Sequence, residues 1–189
     1  AAGVMFTVDL VTGNDNNILI EGSWGLGEYV VQGTVTPDNF HVDKAKMEIT
    51  DRMINDKHIR LVRKADGDCV EEVVPADEAK KQVITDAQVL ELAKYAKAIE
   101  KHYGCYMDME WGVDERDDKI WILQARPETV WSRKEKPETT EQANTLDTGN
   151  REIIVKGLPA SPGNAAGKAH VIINPEDIDE FKEGEILVT

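Results

Sequence analysis

The stretch Met107-Asp108-Met109-Glu110-Trp111-Gly112-Val113 alternates apolar and polar residues, the pattern of a half-buried β-strand. Successive side chains of a strand point to opposite faces, so every second residue shares a surface. The apolar residues of this stretch therefore face a core. Asp108 and Glu110 share the other face of the strand.

A partner strand is predicted across residues 119–126, after the acidic turn at residues 114–118. Its aromatic and aliphatic residues again alternate with polar ones. Strict alternation gives an apolar face with Trp121, Leu123 and Ala125, and a polar face with Gln124 and Arg126.

An antiparallel hairpin of these strands would pair residue 110 with 124 and residue 108 with 126. Cross-strand β-carbons lie about 4.5–5.5 Å apart, close enough to share one ligand. Carboxylate and amide oxygens suit Mg²⁺, which commonly bridges substrate phosphates, and a guanidinium binds phosphate in a two-pronged contact. The alternative is a solvated sheet face with an ordinary Asp108–Arg126 pair. The pattern by itself favours that alternative, because polar outer faces are common in antiparallel sheets.

A glycine-rich segment lies near the start of the chain, with Gly22, Gly25 and Gly27 followed by Glu28. Such a loop can bring its backbone N–H groups close to an anion. It matches neither the Walker pattern nor the dinucleotide fingerprint, and a tight connection between two elements explains it better. Glu28 could begin a helix or accept a hydrogen bond from a sugar hydroxyl.

A helix is predicted across residues 86–103. Thr85 and Gln88 can form a capping box, and Gly104 offers a C-terminal stop. Its apolar stripe, at three-to-four spacing, consists of Val89, Leu92, Ala96, Ile99 and Tyr103. This stripe predicts that the helix packs against the sheet.

The remaining chain divides into short strands and a linker. A hairpin is predicted near residues 4–20, and short strands are predicted at residues 40–42, 59–62 and 70–74. Residues 132–150 are nearly free of apolar side chains and predict a linker between a domain at 1–131 and a second at 151–189. The absence of an initiator Met and the strand-like final residues lead us to expect a fragment.

Composition limits the function classes. The 189 residues include 22 Lys and Arg against 36 Asp and Glu, a net charge of −14. A surface this acidic repels phosphate backbones and anionic lipids, so we expect no nucleic-acid or membrane partner. Two cysteines are too few for a disulfide framework, and the 4 histidines lack metal-ligand spacing.

Motifs along almost the whole chain stand in the order and spacing of a known family. They are Ala2-Gly3-Val4-Met5-Phe6-Thr7, Trp24-Gly25-Leu26-Gly27-Glu28, Ile99-Glu100-Lys101-His102-Tyr103-Gly104, Met107-Asp108-Met109-Glu110-Trp111 and Leu123-Gln124-Ala125-Arg126-Pro127-Glu128-Thr129. Together they resemble the phosphoenolpyruvate synthase family, and more loosely pyruvate phosphate dikinase and rifampin phosphotransferase, which share the module.

The resemblance implies an α+β fold, namely the C-terminal part of an ATP-grasp lobe with an antiparallel sheet and packed helices. The start of a swivelling phosphohistidine domain would follow it. By motif match, Glu110 and Gln124 would hold Mg²⁺, and Gln124 and Arg126 would contact the ATP phosphates. Arg126 and Asp108 would be catalytic, and Glu28 would face the nucleotide.

The implied activity of the parent enzyme is conversion of ATP, pyruvate and water to phosphoenolpyruvate, AMP and phosphate. The family's N-terminal lobe, phosphohistidine motif and pyruvate-binding barrel do not occur in this sequence, so we expect the chain alone to be inactive. We also expect a cytoplasmic protein and a possible homodimer. The alternatives are a pyruvate phosphate dikinase, a rifampin-type phosphotransferase, or a non-catalytic nucleotide-binding domain.

Overall fold

A computed structural model describes residues 1–114, 116–129, 131, 165–173 and 175–188. It divides into two compact units, Ala1–Pro137 and Glu138–Thr189, which are described separately. The predicted linker at 132–150 lies outside the described residues, and so does the whole segment from 151 to 164.

The first unit contains eight strands and three helices among its described residues. The strands are β1 (Ala2–Phe6), β2 (Asn17–Ser23), β3 (Asp38–Asp43), β4 (Glu48–Met53), β5 (Ile59–Arg63), β6 (Cys69–Val73), β7 (Met107–Val113) and β8 (Ile120–Pro127), and the helices are α1 (Glu28–Val31), α2 (Ala76–Ala79) and α3 (Asp86–Tyr103). Six strands form one sheet in the order β4-β3-β2-β1-β7-β8, and β5 pairs with β6. Every strand pair of this unit is antiparallel, which confirms the coarse prediction of an antiparallel sheet with packed helices.

Helix α3 covers one face of the six-stranded sheet with four residues of its predicted stripe, Val89, Leu92, Ala96 and Ile99. The fifth, Tyr103, was wrongly predicted to face the sheet, since it is 57% exposed at the end of the helix. The core-facing residues of the helix pack with Met5, Phe40, Met109 and Trp111, all fully buried. The capping box between Thr85 and Gln88 is present, and Gly104 ends the helix in a left-handed conformation. Strand β4 was not predicted, because five of its six residues are exposed and three are charged, so it shows no apolar period.

The opposite face of the sheet is partly covered by α1 and β5. Val4 of β1 packs there with Val30 and Val35, and Tyr29 and Ile59 join the cluster. The glycine-rich segment is fixed by β5, since the Leu26 amide donates to the Leu61 carbonyl oxygen at 2.8 Å. A β-carbon on Gly25, which has φ of +78°, would overlap that same carbonyl. The glycine is therefore required by a tight connection, as the preferred interpretation of the sequence held.

A fully buried ion pair joins three segments of the first unit. Lys57 donates to Oδ1 of Asp38, and both side chains are excluded from solvent. Asp38 also accepts hydrogen bonds from the amides of Asn55, at 3.0 Å, and Val83, at 2.9 Å. The pair thus fixes the start of β3 to the segments that precede β5 and α3.

The second unit contains a parallel strand pair, β9 (Lys168–Val171) and β10 (Glu185–Val188), with a 3-10 helix at Pro175–Glu180. Nδ1 of His170 lies 2.6 Å from Oε2 of Glu185, and this contact lowers the pKa of the Glu185 carboxyl. The histidine therefore has a local partner within this unit. In the described parts of both units, no helix has the length and apolar character needed to cross a bilayer.

Candidate functional site

The β7–β8 hairpin has the register predicted from the sequence. Asp108 lies opposite Arg126, and Glu110 lies opposite Gln124. The alternation of β7 sends Met107, Met109 and Trp111 into the core under α3, so Asp108 and Glu110 stand on the other face. Four of the predicted site residues therefore share one surface.

Asp108 and Arg126 form a two-pronged ion pair across the strands. Nε and Nη2 of Arg126 lie 2.8 and 2.7 Å from Oδ2 of Asp108. The Asp108 side chain is 16% exposed and the Arg126 side chain 66%, so the arginine keeps an outward surface while its partner is mostly covered. The hydrogen bond to Asp108 raises the pKa of the Arg126 guanidinium, and the charge of Glu110 acts in the same direction. A ligand-binding face and an ordinary solvated sheet face both predict this pair, so the pair does not distinguish them.

Glu110 and Gln124 offer oxygen ligands from directly opposed positions. They fit Mg²⁺, which takes octahedral oxygen coordination and usually keeps waters or phosphate oxygens alongside one or two protein ligands. Among the described residues no group of three or more His, Cys, Asp or Glu side chains could hold a metal ion by itself. The donor set of this face therefore suits a metal that arrives with phosphate oxygens.

A β-bulge in β8 corrects one sequence prediction. Its extra residue, Leu123, lies opposite the step from Glu110 to Trp111 on β7. Trp111 pairs with Ile122 instead of Leu123, so Ile122 and Ile120 pack toward the core. The extra residue shifts the alternation, and the predicted apolar face of Trp121, Leu123 and Ala125 is wrong. Ala125 packs on the core, whereas Trp121 is 49% and Leu123 64% exposed.

Trp121 and Leu123 join the face that carries Gln124. Trp121 pairs with Gly112, which follows Glu110 by two residues on β7 and so shares its face. A Leu123 methyl carbon lies 3.5 Å from the place where a Gly112 β-carbon would be. An exposed apolar surface thus adjoins the Glu110–Gln124 pair, and sequence alternation alone could not place it there.

Glu28 begins α1 on the same side of the sheet. The preceding Gly27 lies over Ala2, since a β-carbon on Gly27 would be 3.6 Å from the Ala2 β-carbon. Ala2 pairs with Gly112 of β7, so α1 starts one strand away from the hairpin. The Glu28 side chain accepts a hydrogen bond from Gln32 at 2.9 Å, within the helix end.

A cavity of about 340 Å³ adjoins the other end of the hairpin face. Its wall is formed by Phe6, Leu10, Asp108, Arg126, Pro127, Glu128, Thr129 and Trp131. Sequence reasoning did not assign a role to Trp131, although a lone aromatic residue at the start of a polar run was a usable signal.

Comparisons with known proteins identify the family of the chain. Residues 1–146 match the family model described as the pyruvate phosphate dikinase AMP/ATP-binding domain. The phosphoenolpyruvate synthase of Pyrococcus furiosus is 42% identical across the whole chain, the probable phosphoenolpyruvate synthase of Methanothermobacter thermautotrophicus 43%, and the phosphoenolpyruvate synthase of Neisseria meningitidis 40%. The chain spans 23%, 26% and 25% of these relatives' lengths.

The family match includes the hairpin, the glycine-rich segment and α1, and it extends over more than half of the chain. The site residues Asp108, Glu110, Gln124 and Arg126 all lie inside it. The chain therefore belongs to the family of pyruvate phosphate dikinase AMP/ATP-binding domains.

Proposed function

We propose that this chain is the nucleotide-binding part of a phosphoenolpyruvate synthase. The longer protein that would contain it, hereafter the parent protein, would convert ATP, pyruvate and water to phosphoenolpyruvate, AMP and phosphate by way of a phosphohistidine. The observation that carries the proposal is the pairing of Glu110 with Gln124 and of Asp108 with Arg126 on one face, inside the part that matches the family. The identity of 40–43% to phosphoenolpyruvate synthases favours pyruvate as the final acceptor of the phosphoryl group.

Within this proposal, Glu110 and Gln124 hold Mg²⁺ together with ATP phosphate oxygens. The bound cation supplies neutralisation of charge on the phosphates and fixes their geometry. Arg126 binds the phosphates through the outward part of its guanidinium. Asp108 holds Nε and Nη2 and so orients the remaining donors, which is a preorganised arrangement for the charge that develops during transfer.

The adenine base of ATP would bind on the apolar surface beside Gln124. Trp121 and Leu123 are exposed next to Gly112, which has no side chain to cover them. Aromatic side chains stack on nucleobases. Glu28, one strand away, then lies on the ribose side of the nucleotide.

The proposal includes further parts that match the family resemblance. The first unit would be one lobe of an ATP-grasp domain, and a swivelling phosphohistidine domain would start near residue 151. Pyruvate would bind elsewhere in the parent protein, which we place in the cytoplasm as a possible homodimer. By itself the chain would lack the acceptor histidine and stay inactive.

The test is the product pattern of the parent protein supplied with labelled ATP, Mg²⁺ and pyruvate. AMP together with phosphate and phosphoenolpyruvate is expected. AMP formed only after addition of phosphate, with pyrophosphate released, would identify a dikinase instead. If pyruvate elicits no turnover, the acceptor is wrong.

Two substitutions separate the enzyme from a nucleotide-binding module without catalysis. Glu110→Gln and Arg126→Ala are each expected to abolish most AMP formation in the parent protein. Lys64→Ala, at an exposed turn between β5 and β6, is the matched control and should leave turnover unchanged. Unchanged AMP formation in both site variants would exclude the catalytic assignment.

A further inference from the structure

The cross-strand pair Leu61–Glu71 of the β5–β6 hairpin holds the chain on both sides of Glu28. We propose that this pair positions Glu28 for the nucleotide, and that Tyr29 and Glu71 are positioning residues. The inference rests on the proposed function, because it needs Glu28 to contact the ribose of ATP. The hairpin then contributes to nucleotide binding without contacting the nucleotide.

Helix α1 cannot fix its own position. It is a single turn, Glu28–Val31, and its N-cap residue Gly27 makes no side-chain hydrogen bond. A helix this short is unstable in isolation, so its surroundings set its orientation. Val30 packs with Val4 of β1, which fixes the distance of the helix from the sheet. Further contacts are needed to fix the direction in which the first residue of the helix points.

The hairpin supplies those contacts from two opposed residues. Leu61 and Glu71 face each other in the register of β5 and β6. The Leu61 carbonyl oxygen accepts a hydrogen bond from the Leu26 amide at 2.8 Å, two residues before Glu28. Oε2 of Glu71 accepts a hydrogen bond from the Tyr29 hydroxyl at 2.8 Å, one residue after Glu28. Glu28 therefore lies between two points that are tied to the same cross-strand pair.

The base of the hairpin is itself anchored to the first unit. The Lys57 amide donates to the Ala79 carbonyl oxygen at 3.0 Å, and the Val74 amide donates to the His58 carbonyl oxygen at 2.8 Å. The side chain of Lys57 forms the fully buried pair with Asp38. The hairpin is thus held just before β5 and just after β6, and it can serve as a fixed support for α1.

The charges around Tyr29 keep its hydroxyl a hydrogen-bond donor. The hydrogen bond to Glu71 raises the pKa of the Tyr29 hydroxyl, and burial and the charge of Glu28 act in the same direction. The phenol therefore stays protonated at neutral pH. Gln32 donates to Oε1 of Glu28 at 2.9 Å, so a ribose hydroxyl would donate to Oε2 of the same carboxylate.

The next residue of β6, Glu72, provides a matched control. Successive side chains of a strand point to opposite faces, so Glu72 points away from α1. Its Oε2 lies 3.1 Å from Nη2 of Arg60, the cross-strand partner of Glu72. Glu71→Ala and Glu72→Ala therefore remove the same carboxylate from adjacent exposed residues, and only the first change removes a contact with α1.

The experiment measures the KM for ATP and kcat of the parent protein with saturating Mg²⁺ and pyruvate. Tyr29→Phe and Glu71→Ala are each expected to raise KM about fivefold and to leave kcat unchanged, because a displaced Glu28 weakens binding equally before and during transfer. Glu71→Gln keeps an oxygen that accepts from Tyr29, so it should restore most of the wild-type KM. Glu72→Ala should leave both constants unchanged.

A Glu28→Ala background shows whether the effect passes through Glu28. That change alone should raise KM about tenfold, and adding Tyr29→Phe should cause little further rise, because the two effects are coupled. Effects that multiply would overturn the inference. An unchanged KM in Tyr29→Phe and Glu71→Ala would also overturn it, as would an equal rise in Glu72→Ala. An unchanged KM in Glu28→Ala would instead refute the contact between Glu28 and ATP in the proposed function.

Discussion

Arg126 is held by Asp108 through both Nε and Nη2, so the acid fixes the direction in which the remaining guanidinium donors point. In the proposed function Asp108 therefore acts through Arg126. Arg126→Ala should lower AMP formation by the parent protein about 10²–10³-fold, since a charge-stabilising donor is lost. Asp108→Asn should cost about tenfold, a loss typical of an orienting partner.

The double variant tests this dependence. If Asp108 works through Arg126, adding Asp108→Asn to Arg126→Ala should cause little further loss, because the two effects are coupled. Turnover at saturating ATP is the measurement. Losses that multiply would show that Asp108 has a separate role.

Trp121→Ala should raise the KM for ATP. Stacking of a base on an aromatic ring contributes about 1–3 kcal/mol, so a rise of roughly five- to 150-fold is expected. Tyr103→Ala removes a 57% exposed aromatic residue at the end of α3 and serves as the control. An unchanged KM in the Trp121 variant would show that the base does not bind on the surface formed by Trp121 and Leu123.

Gly25→Ala should destabilise the first unit. The φ of +78° alone costs a non-glycine residue about 1–2 kcal/mol, and the overlap with the Leu61 carbonyl adds to it. Gly27→Ala is the matched control, because the new β-carbon meets Ala2 at an ordinary 3.6 Å. Urea unfolding of the chain, followed by tryptophan fluorescence, should show a lower midpoint for the first variant alone. Equal midpoints would mean that the glycine-rich segment can move away from β5.

Lys57→Met should lower the free energy of unfolding by about 3–5 kcal/mol, because it leaves the buried Asp38 carboxylate without its partner. Arg60→Met breaks the more exposed pair with Glu72 and should cost at most about 1 kcal/mol. The comparison is made by urea unfolding of the chain. Similar losses in the two variants would contradict a special role for the buried pair.

Glu21 should make stability depend on pH. Burial raises the pKa of its carboxyl above the ordinary value of 4.5, and the Asn39 hydrogen bond and His41 lower it in part. The folded chain then binds this proton more tightly than the unfolded chain. Protonated Glu21 therefore contributes fully to the free energy of unfolding below pH of about 4.5, and this contribution declines as pH rises through the raised pKa. Glu21→Gln removes the decline and should raise the melting temperature at pH 7 but not at pH 4.

Asn39 can still donate to the new amide oxygen, so the Gln variant keeps the contact. Glu48→Gln, on exposed β4, is the control and should show little difference at either pH. A melting temperature for Glu21→Gln that is equal to wild type at pH 7 would show that the buried charge is not destabilising.

Periodicity predicted the elements that are strongly amphipathic. Helix α3 has the predicted bounds because capping residues and an apolar stripe coincide, and the β7–β8 register follows from the alternation of β7. In strand β4 only Ile49 packs on the core, so the sequence shows no repeated alternation there from which a strand could be predicted. The bulge could not be predicted because both registers put apolar residues against the core, and only packing around Trp111 selects between them.

The candidate site likewise contains residues that could be predicted from the sequence and residues that could not. Its polar pairs follow from local alternation, whereas Trp121 depends on the bulge and Trp131 on contacts with the distant Leu10 and Gly13. Long-range contacts of this kind leave no period in the sequence.

The bulge in β8 has a consequence for how the hairpin could vary. In a regular strand, consecutive residues such as Leu123 and Gln124 never share a surface, yet here both stand on the outer face. The inward and outward alternation of residues 120–122 is therefore one residue out of step with that of residues 124–127. Deleting Leu123 would restore a regular strand and leave every other residue on its present face, with Gln124 opposite Glu110, Ile122 opposite Trp111 and Trp121 opposite Gly112. The bulge therefore adds one side chain to the outer face without taking any from the core, and its loss would remove only Leu123 from that face.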